Sequence, residues 1–500
     1  MRLSVAMTGQ IAKQLCDHLL RADRQEDVVL ATYGLSTGVD RRTALIRTVH
    51  LPRPGERSVH GNASFTGNYV LRVAAAAAHD QGGLVILHSH PGAKGWQGMS
   101  GPDADAEGSY AFLVHEITGL PLVGVTLAGG DCRWSGRFWD PDGKSMWCES
   151  VRVVDDVLRM SWNQALRPAP RIRGSQLRTV SAWGEMMQAD IARLRVLVVG
   201  VGSVGMEVAL RLVASGIEHV GVMDFDTVEL VNLDRLIGAT RLDALLRTPK
   251  VQVARRLMEQ AATAEDPVIR ALDASICQPA GRSFALDYDV IFSCVDRPWP
   301  RAVLNMLAYA DLIPVIDGGL HIDPFPDAGM RNATWRSHVI RPGRACLACN
   351  GQLDLGLVSA DREGLLDDPG YIRRTGRSVG PARQNVAMLS VSVVSSVLAQ
   401  FVSFTVGPGG LGDPGPIQYL LSTHSLIRPA DVSQSSCYFE RSVAAGNERL
   451  DLTGVHAAAE AERTRRSHVI PRTRTIRHLR ALVEAASRAL DEYAGRRLSR

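Results

Sequence analysis

RVLVVGVGSVGMEVALRLVASGIEHVGVMDFDTVELVNLDR, residues 195–235, is the stretch whose reading decides the fold. An apolar strand run, RVLVVG, meets a turn carrying Gly200, Gly202 and Gly205, and a helix-forming segment follows. Glycines at such a turn let the backbone approach phosphates, and the helix N-terminus beyond favours anions. A second apolar run, HVGVMDF, brings Asp224 to the end of the next strand, where a carboxylate binds a ribose. Alone, this pattern fits any dinucleotide-binding α/β domain.

The residues just beyond narrow it. Asp224, Asp226, Asn232 and Arg235 crowd polar and charged groups behind the second strand, and Lys250 follows. Hydride transfer needs no such set. Transfer of adenylate does: a carboxylate attacks the α-phosphate, pyrophosphate leaves, cations neutralise the charge, and a carboxylate holds magnesium. Lysine occurs only at Lys13, Lys94, Lys144 and Lys250, all other basic residues being arginine, so a lysine at this position is informative. Asp296 ends the strand run DVIFSCV, where open α/β sheets bind ligands, and IPVIDGG supplies a further strand. Strand–helix alternation from about Trp183 predicts a parallel α/β sheet.

This block resembles the ThiF/MoeB family, the adenylation fold shared with ubiquitin-activating enzymes, over about residues 180–440. The resemblance implies ATP and Mg2+ as ligands. Gly200, Gly202 and Gly205 would form the phosphate turn and Asp224 would bind ribose, with Asp226 in the family's D-x-D. Asn232, Arg235 and Lys250 would contact phosphates, and Asp296 would hold magnesium. Arg301 and Asn305 stand where the family has R and N. It also implies a homodimer and a partner whose C-terminal glycine is activated. Two departures stand out: the usual R-Q pair is Arg235-Leu236, and the arginine supplied near the N-terminus of many members has only Arg173 and Arg178 as candidates.

The chain before residue 160 carries different chemistry. The strand run GLVILHSH ends in His88 and His90, two apart and so on the same side of a strand. A glycine-rich loop leads to Ser100-Gly-Pro-Asp103, a helix start with Ser100 at the cap. Two histidines and an aspartate leave a fourth zinc position for water, the arrangement of a catalytic zinc. His88-Ser-His90-Pro … Ser100-Gly-Pro-Asp103 resembles the JAB/MPN (JAMM) metalloprotease motif, over about residues 5–145. That family cleaves peptide or isopeptide bonds after the terminal glycine of ubiquitin-like proteins. The resemblance implies zinc on His88, His90 and Asp103, and Ser100 hydrogen-bonded to the zinc water or the tetrahedral intermediate. Glu26 would be the general base, with Asp27 its neighbouring competitor. A longer loop than usual leaves Asp105 as a rival to Asp103.

Cys346-Leu-Ala-Cys349 sits where the adenylation family has half of a structural zinc site. Only Cys437 stands near the place of the second half, so two readings stay open: a second zinc on Cys346, Cys349 and Cys437, or a thioester on Cys346 or Cys349.

Of the 500 residues 45% are hydrophobic and 22% charged, with net charge +4, which excludes a disordered or fibrous chain and does not call for nucleic acid. No signal-peptide core opens the sequence, and the expectation is a cytoplasmic protein. The uncharged run from Gln384 to Gly412 reads as a buried helix rather than a membrane span, since serines and Gln400 interrupt it. The expected architecture is an α/β JAB/MPN domain at 1–160, a Pro/Arg-rich linker at 161–182, a Rossmann-like adenylation domain at 183–440 and a basic helical tail at 441–500. Both domains would act on the C-terminal glycine of a ubiquitin-like protein. One would release it, and the other would activate it for conjugation with the help of a conjugating enzyme. The alternatives are activation of a sulfur-carrier protein to its thiocarboxylate, a scaffold with one inactive domain, and an NAD dehydrogenase.

Overall fold

The computed structural model describes residues 1–60, 62–325, 329–375, 385–434, 436–466 and 485. Apart from residue 485, the basic helix expected at 475–498 therefore lies outside the described residues. Among the described residues two large sheets carry the fold.

The first sheet has nine strands, in the order Arg159–Trp162, Ser150–Val154, Arg2–Thr8, Arg41–His50, Val28–Thr37, Gly83–His90, Leu122–Ala128, Arg133–Trp139 and Ser145–Trp147. Helix Gly9–Leu19 packs Leu15 and Leu19 onto one face with Val5, Leu87 and Trp134. Helices Gly67–His79 and Gly101–Thr118 cover the other face through Val70, Val73, Ala111 and Val114. Gly83–His90 pairs antiparallel with Val28–Thr37 and parallel with Leu122–Ala128, so its end is held by a strand on each side.

The second sheet has eight strands. Five run parallel in the order Val268–Leu272, His219–Met223, Arg195–Val199, Val290–Ser293 and Val315–Pro324. Three antiparallel strands follow, Met330–Ile340, Ile417–Leu420 and Ser425–Ile427. The order of succession reverses beside Arg195–Val199, so a crevice opens at the carboxyl ends of Arg195–Val199 and Val290–Ser293. Arg195–Val199 is buried along its whole length, which is why it reads as a continuous apolar run and not as an alternation.

Helix Ala387–Val406 is long and apolar enough to cross a membrane by length and composition. Here it lies on the second sheet. Val393, Val397, Phe401 and Phe404 are buried in the core that the sheet shares with helix Ser203–Ala214, and Gln400 donates to the Gly415 carbonyl at 2.9 Å. The segment between the sheets is anchored rather than extended. Arg167 is buried and donates to the Arg193 carbonyl, and helices Leu177–Trp183 and Glu185–Ala192 follow.

Candidate functional sites

The crevice of the second sheet is shaped by its glycines. Gly200 has φ +87°, and a Cβ there would stand 2.6 Å from the Cys294 carbonyl oxygen. A Cβ on Gly205 would stand 1.9 Å from the Gly200 oxygen, so only glycine lets helix Ser203–Ala214 start this close to its strand. Gly202, by contrast, caps that helix with nothing within 4 Å of an added Cβ. That space lies at the helix N-terminus, where a phosphate would rest.

Asp224 crosses this turn. One carboxylate oxygen accepts from the Val201 N–H at 2.6 Å and the other from the Asp226 N–H at 2.8 Å. Burial pushes its pKa up to about 6, against the pull of Lys250. Lys250 opens helix Lys250–Ala261, and its ammonium donates to Asp226 at 2.7 Å. Burial works against the Lys250 charge, but Asp224 and Asp226 outweigh it and raise its pKa; Asp296 contributes in the same sense. Asp296 is exposed just beyond Val290–Ser293. Gly200, Gly202, Gly205, Asp224, Asp226, Lys250 and Asp296 thus share one crevice.

Asn232 and Arg235 engage locally instead. The Asn232 amide oxygen accepts from the Glu229 N–H at 3.0 Å, and Arg235 donates to the Val231 carbonyl at 2.6 Å and to Asp234 at 2.9 Å. Their expected phosphate contacts would need this loop to rearrange. Asn305 is fully buried and accepts from the Leu347 N–H at 3.1 Å, so it supports the Cys346 turn and not the crevice. Arg301 lies 3.4 Å from the buried Asp317.

In the first sheet, His88 and His90 project from the end of Gly83–His90, and Asp103 sits in the first turn of Gly101–Thr118. Asp103 Oδ2 lies 3.7 Å from His88 Nε2 and 3.8 Å from His90 Nε2. Zinc bonds of ~2.0–2.2 Å in a tetrahedron separate ligand atoms by roughly 3.4 Å, so a small inward shift fits the ion. Asp103 is placed by its cap: its carboxylate accepts from Ser100 Oγ at 2.7 Å and from the Ser100 N–H at 3.1 Å. The hydrogen bond from His90 holds the Asp103 carboxyl well below the usual range. Burial lowers His88 to about 3, which keeps its imidazole neutral as a metal ligand must be.

Glu107 Oε1 lies 3.9 Å from His88 Nδ1 but is buried and paired with Arg137, and a further carboxylate that acts on this group is that of Glu26. Partial burial raises its pKa, and it feels His90 and Asp103. Asp27 is committed elsewhere: it is buried, accepts from Arg57 at 2.8 and 2.9 Å, and its backbone N–H donates to Ser89 Oγ at 3.1 Å. Two contacts carry no sequence signal. Gln97 Oε1 lies 3.2 Å from His90 Nδ1, which leaves Nε2 turned toward Asp103. Thr126 Oγ1 lies 3.3 Å from His88 Nε2 and accepts from Arg137 at 2.9 Å. Thr126 lies 38 residues from His88 and Gln97 reaches His90 across the glycine-rich loop, and neither type of side chain marks a site by itself.

The thiols of Cys346, Cys349 and Cys437 lie within 4.8 Å of one another, Cys346 to Cys437 at 3.6 Å. Zn–S bonds of ~2.3 Å imply roughly 3.8 Å between sulfurs, so the set suits one soft metal ion. Burial pushes Cys346 up to about 12 and the residue is fully enclosed, so it is not presented to a macromolecular partner. Cys349 is partly exposed. Burial raises its thiol, but the Gln434 N–H and the neighbouring cysteines hold it below its usual value. A separate cavity of about 900 Å3 opens between the two halves, lined by Lys13, Cys16, Arg133, Met187 and Ile191, away from all three groups.

Comparison with known proteins bears on the second sheet. Residues 174–411 match the ThiF family model. Molybdopterin-synthase adenylyltransferase of Escherichia coli is 31% identical over 126 residues, covering 25% of this chain and 48% of that protein. "Adenylyltransferase and sulfurtransferase uba4" of Ogataea parapolymorpha is 30% identical over 166 residues, covering 32% of this chain and 39% of that protein. The chain thus spans half or less of the length of these relatives. Among solved structures, MccB of E. coli crystallised with MccA-N7isoASN aligns with TM-score 0.42 and 16% identity, covering 55% of this chain and 75% of that one.

Proposed function

We propose that residues 174–411, which match the ThiF family model, act as a ThiF/MoeB-type adenylation domain, and that the chain activates the C-terminal glycine of a small ubiquitin-like or sulfur-carrier protein with ATP. The observation that carries this reading is the Gly200–Gly205 turn joined to Asp224, Asp226 and Lys250 in one crevice. A carboxylate oxygen of the partner attacks the α-phosphorus. The bond from that phosphorus to the bridging oxygen breaks, pyrophosphate leaves, and a mixed anhydride with AMP remains. Lys250 neutralises the phosphates, and Asp224 accepts from the ribose. Asp296 would hold magnesium, which supplies charge neutralisation on the phosphates when bound.

The names of the curated relatives, an adenylyltransferase of molybdopterin synthase and a combined adenylyltransferase and sulfurtransferase, favour a sulfur-carrier partner over a conjugated one. Hydrosulfide then attacks the acyl carbon, the bond from that carbon to the AMP oxygen breaks, AMP leaves, and a thiocarboxylate forms as the sulfur loses its proton. The three-thiol cluster is read as a structural zinc site, in keeping with the burial of Cys346. The test is partner-dependent exchange of labelled pyrophosphate into ATP. The native chain is expected to catalyse it, and Lys250→Ala to lose at least 100-fold with its fold intact. Exchange that ignores both the partner and Lys250 would sink this reading.

A second activity is supported by His88, His90, Asp103 and Glu26. Zinc held by the first three would supply Lewis acidity toward water and a carbonyl oxygen. Glu26, raised by burial, takes the proton from the attacking water and passes it to the leaving amine. Such a JAB/MPN-type hydrolase would trim a precursor to expose the glycine that the second half activates. Glu26→Gln is expected to retain one zinc in this half and to lose peptide cleavage, whereas His88→Ala loses the metal as well. Zinc content unaffected by His88→Ala would remove this site.

A further inference from the structure

The crevice that holds Asp224 and Lys250 is crossed by a segment of the chain that the adenylation reading leaves without a task. Residues 452–466 run along the carboxyl ends of three parallel strands, and 457–466 are helical. The Leu452 carbonyl accepts from Trp299 Nε1 at 2.8 Å, beyond Val290–Ser293. The Gly454 N–H donates to the Cys277 carbonyl at 2.8 Å, beyond Val268–Leu272. The His456 ring sits edge-on between Phe225 and Trp299, with centroids 4.9 and 5.1 Å apart. Phe225 stands between Asp224 and Asp226. Glu462, itself buried, accepts from Thr227 Oγ1 at 2.5 Å and pairs with Arg247 at 3.2 Å, and Arg466 pairs with Asp273.

The coverage is one-sided. None of these contacts reaches the phosphate end. Gly202 has no atom within 4 Å of an added Cβ, Lys250 is paired with Asp226, and the Asp226 side chain is 49% exposed. A plug that blocked nucleotide would set its carboxylate against the cation that awaits phosphate. Glu462 is spent on Thr227 and Arg247 instead, and what the segment offers the crevice is aromatic surface. Open at the phosphates and walled by aromatic rings at the ribose side, the crevice has the polarity of a bound nucleoside triphosphate.

We infer that residues 452–466 form the outer wall of the nucleotide site, latched by Glu462 and Arg466, with His456 and Phe225 bordering the purine. This rests on the adenylation reading and adds a base-recognition element to it. The test uses the full chain and two variants, His456→Ala and the latch double variant Glu462→Ala/Arg466→Ala. Binding of ATP and of inorganic tripolyphosphate, which probes the phosphate end alone, is measured calorimetrically. The expected result is ATP binding weakened at least tenfold in both variants with tripolyphosphate binding unchanged. Added ATP is expected to slow amide exchange across 452–466 in the native chain. ATP affinity within twofold of native, or tighter, in both variants overturns the wall. Equal loss of ATP and tripolyphosphate would also overturn it, since that reports general collapse of the site. Failure of ATP to bind the native chain defeats the adenylation reading instead.

Discussion

The glycines of the phosphate turn separate folding from binding at the level of single residues. Gly205→Ala forces a Cβ against a backbone oxygen that stands 1.9 Å away, and backbone cannot step aside as a flexible side chain can. It is expected to lower stability by about 2–4 kcal/mol in chemical denaturation. Gly202→Ala meets open space at φ −83°, so the fold tolerates it while a methyl group intrudes into the space proposed for phosphate. Unchanged unfolding with at least tenfold weaker tripolyphosphate binding is expected. Asp224 adds a pH dependence. Its native pKa of about 6 lies above the ordinary 3.8, so the native state holds a proton that the unfolded chain has released between those values. Ionisation therefore costs stability as pH rises through that window. The same proton occupies the acceptor proposed for the ribose, so ATP affinity is expected to fall as pH drops below about 6, and Asp224→Asn to flatten that profile. An ATP affinity indifferent to pH between 5 and 7.5 would argue against Asp224 as the ribose acceptor.

Elements show where sequence reading reaches and where it stops. The strand period sets His88 and His90 on one side and the Ser100 cap sets Asp103 in the first helical turn, both local rules, whereas the meeting of strand and helix that brings the three together was implied only by the JAB/MPN resemblance. Asp27 is bound by Arg57, a partner 30 residues away, while His90 and Asp103 act on Glu26, a distinction no local rule in the sequence could make. Asn232 and Arg235 fit the adenylation pattern, yet their side chains are engaged within their own loop. The wall over the crevice was invisible, since His456 meets Phe225 and Trp299 only through tertiary packing. The same contrast governs helix Ala387–Val406, whose uncharged sequence alone suits a membrane or a core. Val397 is fully buried against the second sheet, while Met388 and Val391 are exposed. Val397→Asp is expected to abolish folding, because an unpaired buried carboxylate has no partner there. Val391→Asp is expected to shift the melting temperature by no more than a degree or two. A helix embedded in lipid would not discriminate between these faces in that way.

At the scale of the whole molecule the two sheets are joined through buried charge. Asp289, at the entry to Val290–Ser293, is fully enclosed. One carboxylate oxygen accepts from Arg41 at 2.5 Å and from Arg152 at 3.1 Å, both from the first half, and the other accepts from the Arg195 N–H at 2.9 Å. Burial alone would raise this carboxyl, but the three arginines around it hold it down to about 2. Its contribution is therefore present at neutral pH and is lost only as pH falls through that value. Arg195 also pairs with Glu149, Ser36 donates to Asp311 at 2.6 Å, and Arg341 pairs with Asp156, so charge and hydrogen bonds cross the junction at several points. Such a junction costs desolvation that its pairing only offsets. Its consequence is strict geometry rather than extra stability. Removing Asp289 alone strands two buried arginines, a loss of about 3–5 kcal/mol. The native chain is expected to unfold in one calorimetric transition and Asp289→Ala in two, the halves having lost their common clamp. If each half handles the same glycine terminus, fixing their relative orientation lets a trimmed partner pass between sites without a search over many arrangements. Coupled trimming and adenylation should then slow in Asp289→Ala, while each reaction assayed separately keeps its rate. Two transitions already present in the native protein would instead mean that the halves unfold as independent units and that the buried charges do not clamp them.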